Sequence, residues 1–238
     1  MLEEVKIKYN QINIEAVEIN EEEIEEKRLF NVFVVGLPRS GTSMTTGICE
    51  KLGVHMIHTS DFEEKLKKRN EQERKRYGDE YQMNIDGFFE ITDNVWDHYM
   101  EIMSTPYSGC KMIIPVTNDR MHVVKFNPCA RVIQMWRDPE EIRQSQQAAY
   151  DGDKYVTEEM AETKKAIIRT QLVQQKLRLE HLKIKRLDIQ YRDVLNDPIG
   201  KITEIAQFIK AINSIKEAVD WVNPSKNRFK KEELADGI

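Results

Sequence analysis

The sequence predicts a three-layer α/β domain, in which a mainly parallel central sheet is flanked by helices. Largely apolar segments of strand length lie near 32–35, 111–116, 132–136 and 187–191, with helix-compatible stretches between them. The first of these segments runs into a glycine-containing turn and then a helix. A chain of 238 residues suits one domain of this class. We therefore predict a single domain over 31–238 and, over 1–30, an N-terminal extension packed on it.

The first turn has the composition of an anion-binding loop. The apolar run Val32–Val35 stops at Gly36, and helix-compatible residues resume after Ser43. Glycines at 36 and 41 allow a tight turn and close approach of the backbone to a ligand. Backbone amides at the start of the following helix, together with the positive end of its dipole, attract an anion. A plain glycine turn between a core strand and a core helix is the alternative.

Side chains of the same loop add donors. Thr42 and Ser43 offer hydroxyls, and Arg39 offers a forked cation suited to phosphate or sulfate oxygens. In the Walker A pattern a lysine stands where Thr42 lies, and its absence argues against an ATPase or kinase. The segment PRSGTS after a hydrophobic strand resembles the 5′-phosphosulfate loop of sulfotransferases that use 3′-phosphoadenosine 5′-phosphosulfate (PAPS). This resemblance implies a P-loop-NTPase-like fold and a donor site at Arg39, Ser40, Gly41, Thr42 and Ser43.

A second motif follows the strand near 132–136. Asp138, Pro139 and Glu141 are predicted as the N-cap, first-turn proline and capping-box acid of the next helix. With the helix amides occupied, a cation must come from a side chain. Arg137 stands at the carboxyl end of the strand, where α/β sheets bind ligands. Ser145 lies about two helical turns further on, so its hydroxyl is expected to face the same ligand.

The strand, the R-D-P sequence and the serine eight residues after the arginine resemble the 3′-phosphate motif of sulfotransferases. The resemblance implies that Arg137 and Ser145 bind the 3′-phosphate of the donor. The alternatives are an ion pair between Arg137 and Asp193 and an ordinary helical role for Ser145.

The segment 84–90, NIDGFFE, resembles an acceptor-pocket element of small bacterial-type sulfotransferases. The rings of Phe88 and Phe89 would desolvate Glu90 and raise its pKa, which suits a general base. The alternative is that Glu90 caps or salt-bridges the next helix. Lys111 and the proline four residues later match the K-x-H-x-P element of cytosolic members, but Ile113 replaces the histidine. A carboxylate base, Glu90, is therefore the better hypothesis, with Arg39 and Lys111 as its catalytic partners.

Two looser matches complete the candidate site. The pattern Y-x-D-x-x-x-x-P at Tyr191 resembles an element whose tyrosine lies beside the nucleotide, although Arg192 replaces the usual glutamate. Tyr191 would otherwise be a half-buried residue at a strand end. Arg228, in a basic C-terminal segment, is a candidate for a further 3′-phosphate contact or an ordinary solvated cation. The charged segment 62–80 fits an exposed helix better than a basic lid.

Composition limits the function. The net charge of −5 lacks the basic excess of a general nucleic-acid binder. Three cysteines without metal spacing indicate no metal site and a reducing, cytoplasmic setting, and no apolar run suggests membrane insertion. The resemblance implies PAPS as donor, its 3′,5′-bisphosphate (PAP) as product, and a small-molecule or carbohydrate acceptor with a hydroxyl or amine. A P-loop small-molecule kinase and a catalytically silent nucleotide-binding protein are the rival hypotheses.

Overall fold

The structure is a computed structural model, and it describes residues 29–58, 71, 95–113, 124, 127, 129–147 and 157–222. Five strands form one sheet: β1 (Val32–Gly36), β2 (His55–Met56), β3 (Ser108–Ile113), β4 (Arg131–Trp136) and β5 (Lys185–Gln190). Their order is β2-β3-β1-β4-β5, and every pairing is parallel. The predicted α/β class with a parallel central sheet is confirmed.

Helices cover both faces of this sheet. They are α1 (Thr42–Lys51), α2 (Val95–Ser104), α3 (Pro139–Gln146), α4 (Glu158–His181), α5 (Tyr191–Asn196), α6 (Pro198–Phe208) and α7 (Ile215–Trp221). Alternate residues of β1 pack on opposite faces of the sheet, because successive side chains of a strand point to opposite sides. Val34 belongs to a buried cluster that includes residues of α1, α6 and α7, whereas Val35 belongs to a second cluster that includes Leu179 of α4. The central strand is therefore buried on both faces, which explains its uninterrupted apolar sequence.

Helix starts largely follow the sequence signals. Asp138 accepts hydrogen bonds from the amides of Glu140 and Glu141, and a proline occupies the first turn of α3, as predicted. Asp197 caps α6 in the same manner. Thr157 likewise accepts a hydrogen bond from the amide of Met160 at the start of α4, whose buried face includes Ile168, Leu172 and Leu179.

Strand positions differ from prediction in three places. β3 begins at Ser108, three residues earlier than predicted, because Gly109 fits against β1: a Cβ there would lie 1.9 Å from the carbonyl oxygen of Val32. The two-residue β2 was not predicted. Tyr191 begins α5 rather than ending β5.

The predicted extension 1–30 lies outside the described residues, apart from its last two. Phe30, the second of these, packs in the core beside Tyr107. Within the described ranges, none of the helices combines the length and the apolar character that a membrane span requires.

Candidate active site

The loop between β1 and α1 is shaped by left-handed backbone. Arg39 has φ 72° and Gly41 has φ 101°, a conformation that is uncommon for residues with a side chain. The amide of Ser40 donates to the carbonyl of Leu37 over 3.1 Å, which closes the turn. Gly41 is the N-cap of α1, and it offers no side chain to the first-turn amides. The helix therefore begins with the geometry of an anion site.

Gly41 also permits a close contact between the loop and α5. A Cβ at this position would lie 2.5 Å from Cδ2 of Tyr191, a distance that atoms do not tolerate. The ring of Tyr191 thus packs directly on the loop backbone. Burial raises the pKa of Tyr191, and the positive charge of Arg137 partly opposes this shift. The phenol is neutral near pH 7.

The two predicted phosphate motifs meet through their side chains. Nε of Arg39 donates to Oγ of Ser145 over 3.0 Å, although the two residues are 106 positions apart in sequence. Gln146, the next residue of α3, donates to the carbonyl of Pro38 over 3.1 Å. The β1–α1 loop and the last turn of α3 are therefore joined at the carboxyl edge of the sheet, where ligands bind in this class of fold.

Arg137 is held on several sides. Its Nη1 donates to the carbonyl of Arg39 over 3.0 Å, and its Nε donates to Oε2 of Glu141 over 3.0 Å. The guanidinium carbon lies 4.3 Å from the centroid of the Tyr191 ring, within cation–π range. Only 7% of the side chain is exposed. The alternative pairing with Asp193 is wrong, because the carboxylate partner is Glu141.

The predicted capping role of Glu141 is also wrong. Asp138 already accepts from the first amides of α3, and both carboxylate oxygens of Glu141 face arginines. The second arginine is Arg192, whose Nε donates to Oε1 of Glu141. Sequence reasoning missed this pair. The i, i+4 spacing of Arg137 and Glu141 was the available signal, whereas nothing local pointed to Arg192.

Lys111 enters the site from β3. Its ammonium donates to Oγ of Ser43 over 3.1 Å, and its aliphatic chain is buried. The amine that the loop lacks at Thr42 is thus supplied from a neighbouring strand. Ile113 lies two residues further on, on the same face of β3, and it pairs in register with Gly36. The position where the resemblance implies a histidine is therefore beside the loop.

The site is strongly cationic. Arg39, Lys111, Arg137 and Arg192 surround it, and Glu141 is the carboxylate that contacts two of them. The hydroxyl of Ser40 is buried and has no hydrogen-bond partner among the described residues. In the same part of the chain, no group of three or more His, Cys, Asp and Glu side chains is placed to hold a metal ion.

The structure brings most of the predicted residues together. Arg39, Ser40, Gly41, Thr42 and Ser43 form one loop end, and Lys111, Arg137, Ser145 and Tyr191 contact that loop or one another. Glu90 and Arg228 lie outside the described residues, so their roles stay predictions.

Comparison with known proteins relates the chain to one family and to several solved structures. The model of the sulfotransferase family matches residues 31–211. A sulfotransferase from Mycobacterium avium superposes with a TM-score of 0.51 and 14% identity, over 88% of this chain and 71% of that one. At that identity the likeness concerns the fold.

Two further structures are less similar. The sulfotransferase domain of the Synechococcus PCC 7002 olefin synthase has a TM-score of 0.49 and 15% identity, over 87% of this chain and 86% of that one. Retinol dehydratase, solved with retinol and PAP, has a TM-score of 0.46 and 16% identity, over 83% and 65% of the respective chains. No curated protein sequence matches the chain. The extent of the family match, about three quarters of the sequence, decides the assignment: the chain belongs to the sulfotransferase family.

Proposed function

We propose that the protein transfers a sulfuryl group from PAPS to a hydroxyl or amine of a small-molecule or carbohydrate acceptor. The observation that carries this proposal is the hydrogen bond between Arg39 and Ser145, which joins the two phosphate motifs in one site. A donor with a phosphosulfate at one end and a 3′-phosphate at the other requires two adjacent anion sites. The β1–α1 loop would provide one site, and Arg137 before α3 together with Ser145 near its end would provide the other.

The hydrogen-bond donors and cations of this site fit such a ligand. The loop amides, Arg39 and Lys111 would hold the 5′-phosphosulfate, and Arg137 with Ser145 would hold the 3′-phosphate. Ser40 supports the fit, because a buried hydroxyl without a partner is costly unless a ligand or a water satisfies it.

The chemistry follows from where charge develops. Sulfuryl transfer breaks the bond between sulfur and the bridging phosphate oxygen and forms a bond to the acceptor atom, so negative charge builds on the departing phosphate. Arg39 and Lys111 are placed to stabilise that charge, since each is already oriented by a hydroxyl group. Their fixed positions avoid reorganisation during the reaction.

The acceptor must also lose a proton. Ile113 has no group that accepts one, although it occupies the position beside the loop. We assign the general base to Glu90, whose pKa would be raised by the neighbouring aromatic rings. This assignment rests on the sequence.

The test is a transfer assay with radiolabelled donor. The purified chain is incubated with sulfur-labelled PAPS and a panel of phenols, aliphatic alcohols, amines and sugars, and both labelled product and released PAP are measured. We expect acceptor-dependent label transfer that is lost in Arg39→Ala. The matched control is Arg143→Ala, which removes an arginine of α3 that pairs with Glu140 away from the loop.

Two rival functions give other results. The kinase hypothesis gains some support from Lys111, because its ammonium donates to Ser43, the neighbour of Thr42, where the Walker A pattern has its phosphate-binding lysine. It predicts phosphorylation with ATP and Mg²⁺ and no use of PAPS. The silent-protein hypothesis is motivated by Ile113 and predicts tight binding of PAP without transfer to any acceptor. Either result would overturn the proposed function.

A further inference from the structure

A buried carboxylate that contacts two arginines lies behind the proposed 3′-phosphate site. Glu141 is 10% exposed, and its two oxygens accept from Nε of Arg137 and Nε of Arg192. The arginines come from different elements: Arg137 follows β4, and Arg192 lies in α5. Glu141 therefore connects the end of β4 to α5, the helix that follows the neighbouring strand β5.

This contact restricts the guanidinium of Arg137. Glu141 accepts from its Nε, the carbonyl of Arg39 accepts from its Nη1, and the ring of Tyr191 covers its face. Among the described residues, Nη2 is the nitrogen that these contacts do not engage. An arginine fixed by two acceptors and a ring loses little further entropy when it binds an anion.

Arg192 changes the electrostatic effect of Glu141. When a buried carboxylate pairs with one arginine, it largely cancels the positive charge that the arginine would present to an incoming anion. When a second arginine shares the carboxylate, the three groups carry a net positive charge.

We propose that Glu141 and Arg192 are positioning residues for recognition of the 3′-phosphate. Glu141 fixes the plane of Arg137, and Arg192 holds Glu141 so that Arg137 keeps its charge available for the ligand. The inference rests on the proposed function, because it presumes a donor with a 3′-phosphate. It assigns a role to two residues that neither phosphate motif identifies as ligand contacts.

The test measures how well the protein discriminates between nucleotides with and without a 3′-phosphate, rather than affinity alone. Dissociation constants of the full-length protein for PAP and for 5′-AMP are determined by calorimetry, and their ratio reports the contribution of the 3′-phosphate. We expect Glu141→Gln to reduce the ratio about tenfold, the loss of one charge-assisted hydrogen bond. Arg192→Ala is expected to reduce it about three- to tenfold, and Arg192→Lys, which restores the cation, to recover most of it.

Glu140→Gln is the matched control. Glu140 is the preceding residue of α3 and also pairs with an arginine, Arg143, but the other hydrogen-bond partners of these two side chains are Gln144 and Gln147. Its removal should leave the ratio unchanged. If Glu141→Gln does not fold, Arg192→Ala carries the test, because the Arg192 side chain is 39% exposed and its truncation leaves no core cavity.

The outcomes separate the two proposals. Equal weakening of PAP and 5′-AMP in the variants would show a merely structural role and overturn the inference, as would an unchanged ratio. A wild-type protein that binds the two nucleotides equally would contradict the proposed function, and the inference with it. Both proposals would be supported by three results together. The wild type discriminates strongly between PAP and 5′-AMP, Glu141→Gln and Arg192→Ala reduce the ratio, and Arg192→Lys retains most of it.

Discussion

Gly41 offers the sharpest test of how the loop is built. Alanine at this position meets two obstacles. The backbone φ of 101° costs about 1–2 kcal/mol for a residue with a side chain. The new Cβ would also lie 2.5 Å from Cδ2 and 3.2 Å from Cε2 of Tyr191, and such overpacking costs a further 1–3 kcal/mol, roughly. We expect Gly41→Ala to lower the free energy of unfolding by about 2–5 kcal/mol.

Gly53 provides a matched control, because it has the same φ of 101° at the opposite end of α1. Its added Cβ would lie 3.2 Å from Cβ of Ile212, so the clash is much weaker. Gly53→Ala should therefore show little more than the backbone cost, about 1–2 kcal/mol. Urea denaturation of both variants, with the wild type alongside, measures the difference.

Gly41→Ala has a second expected effect. Displacement of the Tyr191 ring removes the support under Arg137, so affinity for PAP should fall about tenfold. Gly53→Ala should bind PAP as the wild type does. Equal destabilisation of the two variants together with unchanged PAP affinity would refute the packing argument.

Three further predictions concern the chemistry and the pH response. Lys111→Met keeps the buried chain but removes the charge, and kcat should fall about 10²–10³-fold in the transfer assay while the protein stays folded. Glu90→Gln should lower kcat about 10²–10⁴-fold, and adding Ile113→His to it should restore part of that loss; an unaffected Glu90→Gln would exclude this base. Arg143 lowers the pKa of Glu140, so this pair stabilises the fold above the ordinary carboxyl pKa and loses its effect as pH falls through the lowered value. The stability difference between the wild type and Glu140→Gln, under about 1 kcal/mol because the carboxylate is 36% exposed, should shrink from pH 7 to pH 3 in denaturation curves.

The fold was largely predictable because its central strands β1, β3 and β4 are buried on both faces. β1 and β4 are short apolar runs that end at polar motifs, and local caps mark the starts of α3 and α6. β3 was placed too late, because Ser108 and Gly109 have the composition of a turn. Their role becomes clear only against β1, where Gly109 admits the neighbouring backbone.

The site was predictable to the extent that its chemistry is local. The loop and the Arg137–Ser145 spacing predicted two anion sites, and the contact between Arg39 and Ser145 brings the two motifs together. Glu141 was misassigned because its distance from Asp138 matches a capping box, while the competing arginine in α5 is distant in sequence. Interactions that depend on tertiary contacts between charged groups leave no periodic signal in the chain.

Calorimetric titration with PAP, beside ATP with Mg²⁺, tests the central claim most directly. A site made of two joined anion-binding motifs predicts micromolar or tighter binding of PAP and weak binding of ATP. Preference for ATP would contradict the sulfotransferase mechanism proposed for this site and favour phosphoryl transfer at the Gly36–Ser43 loop.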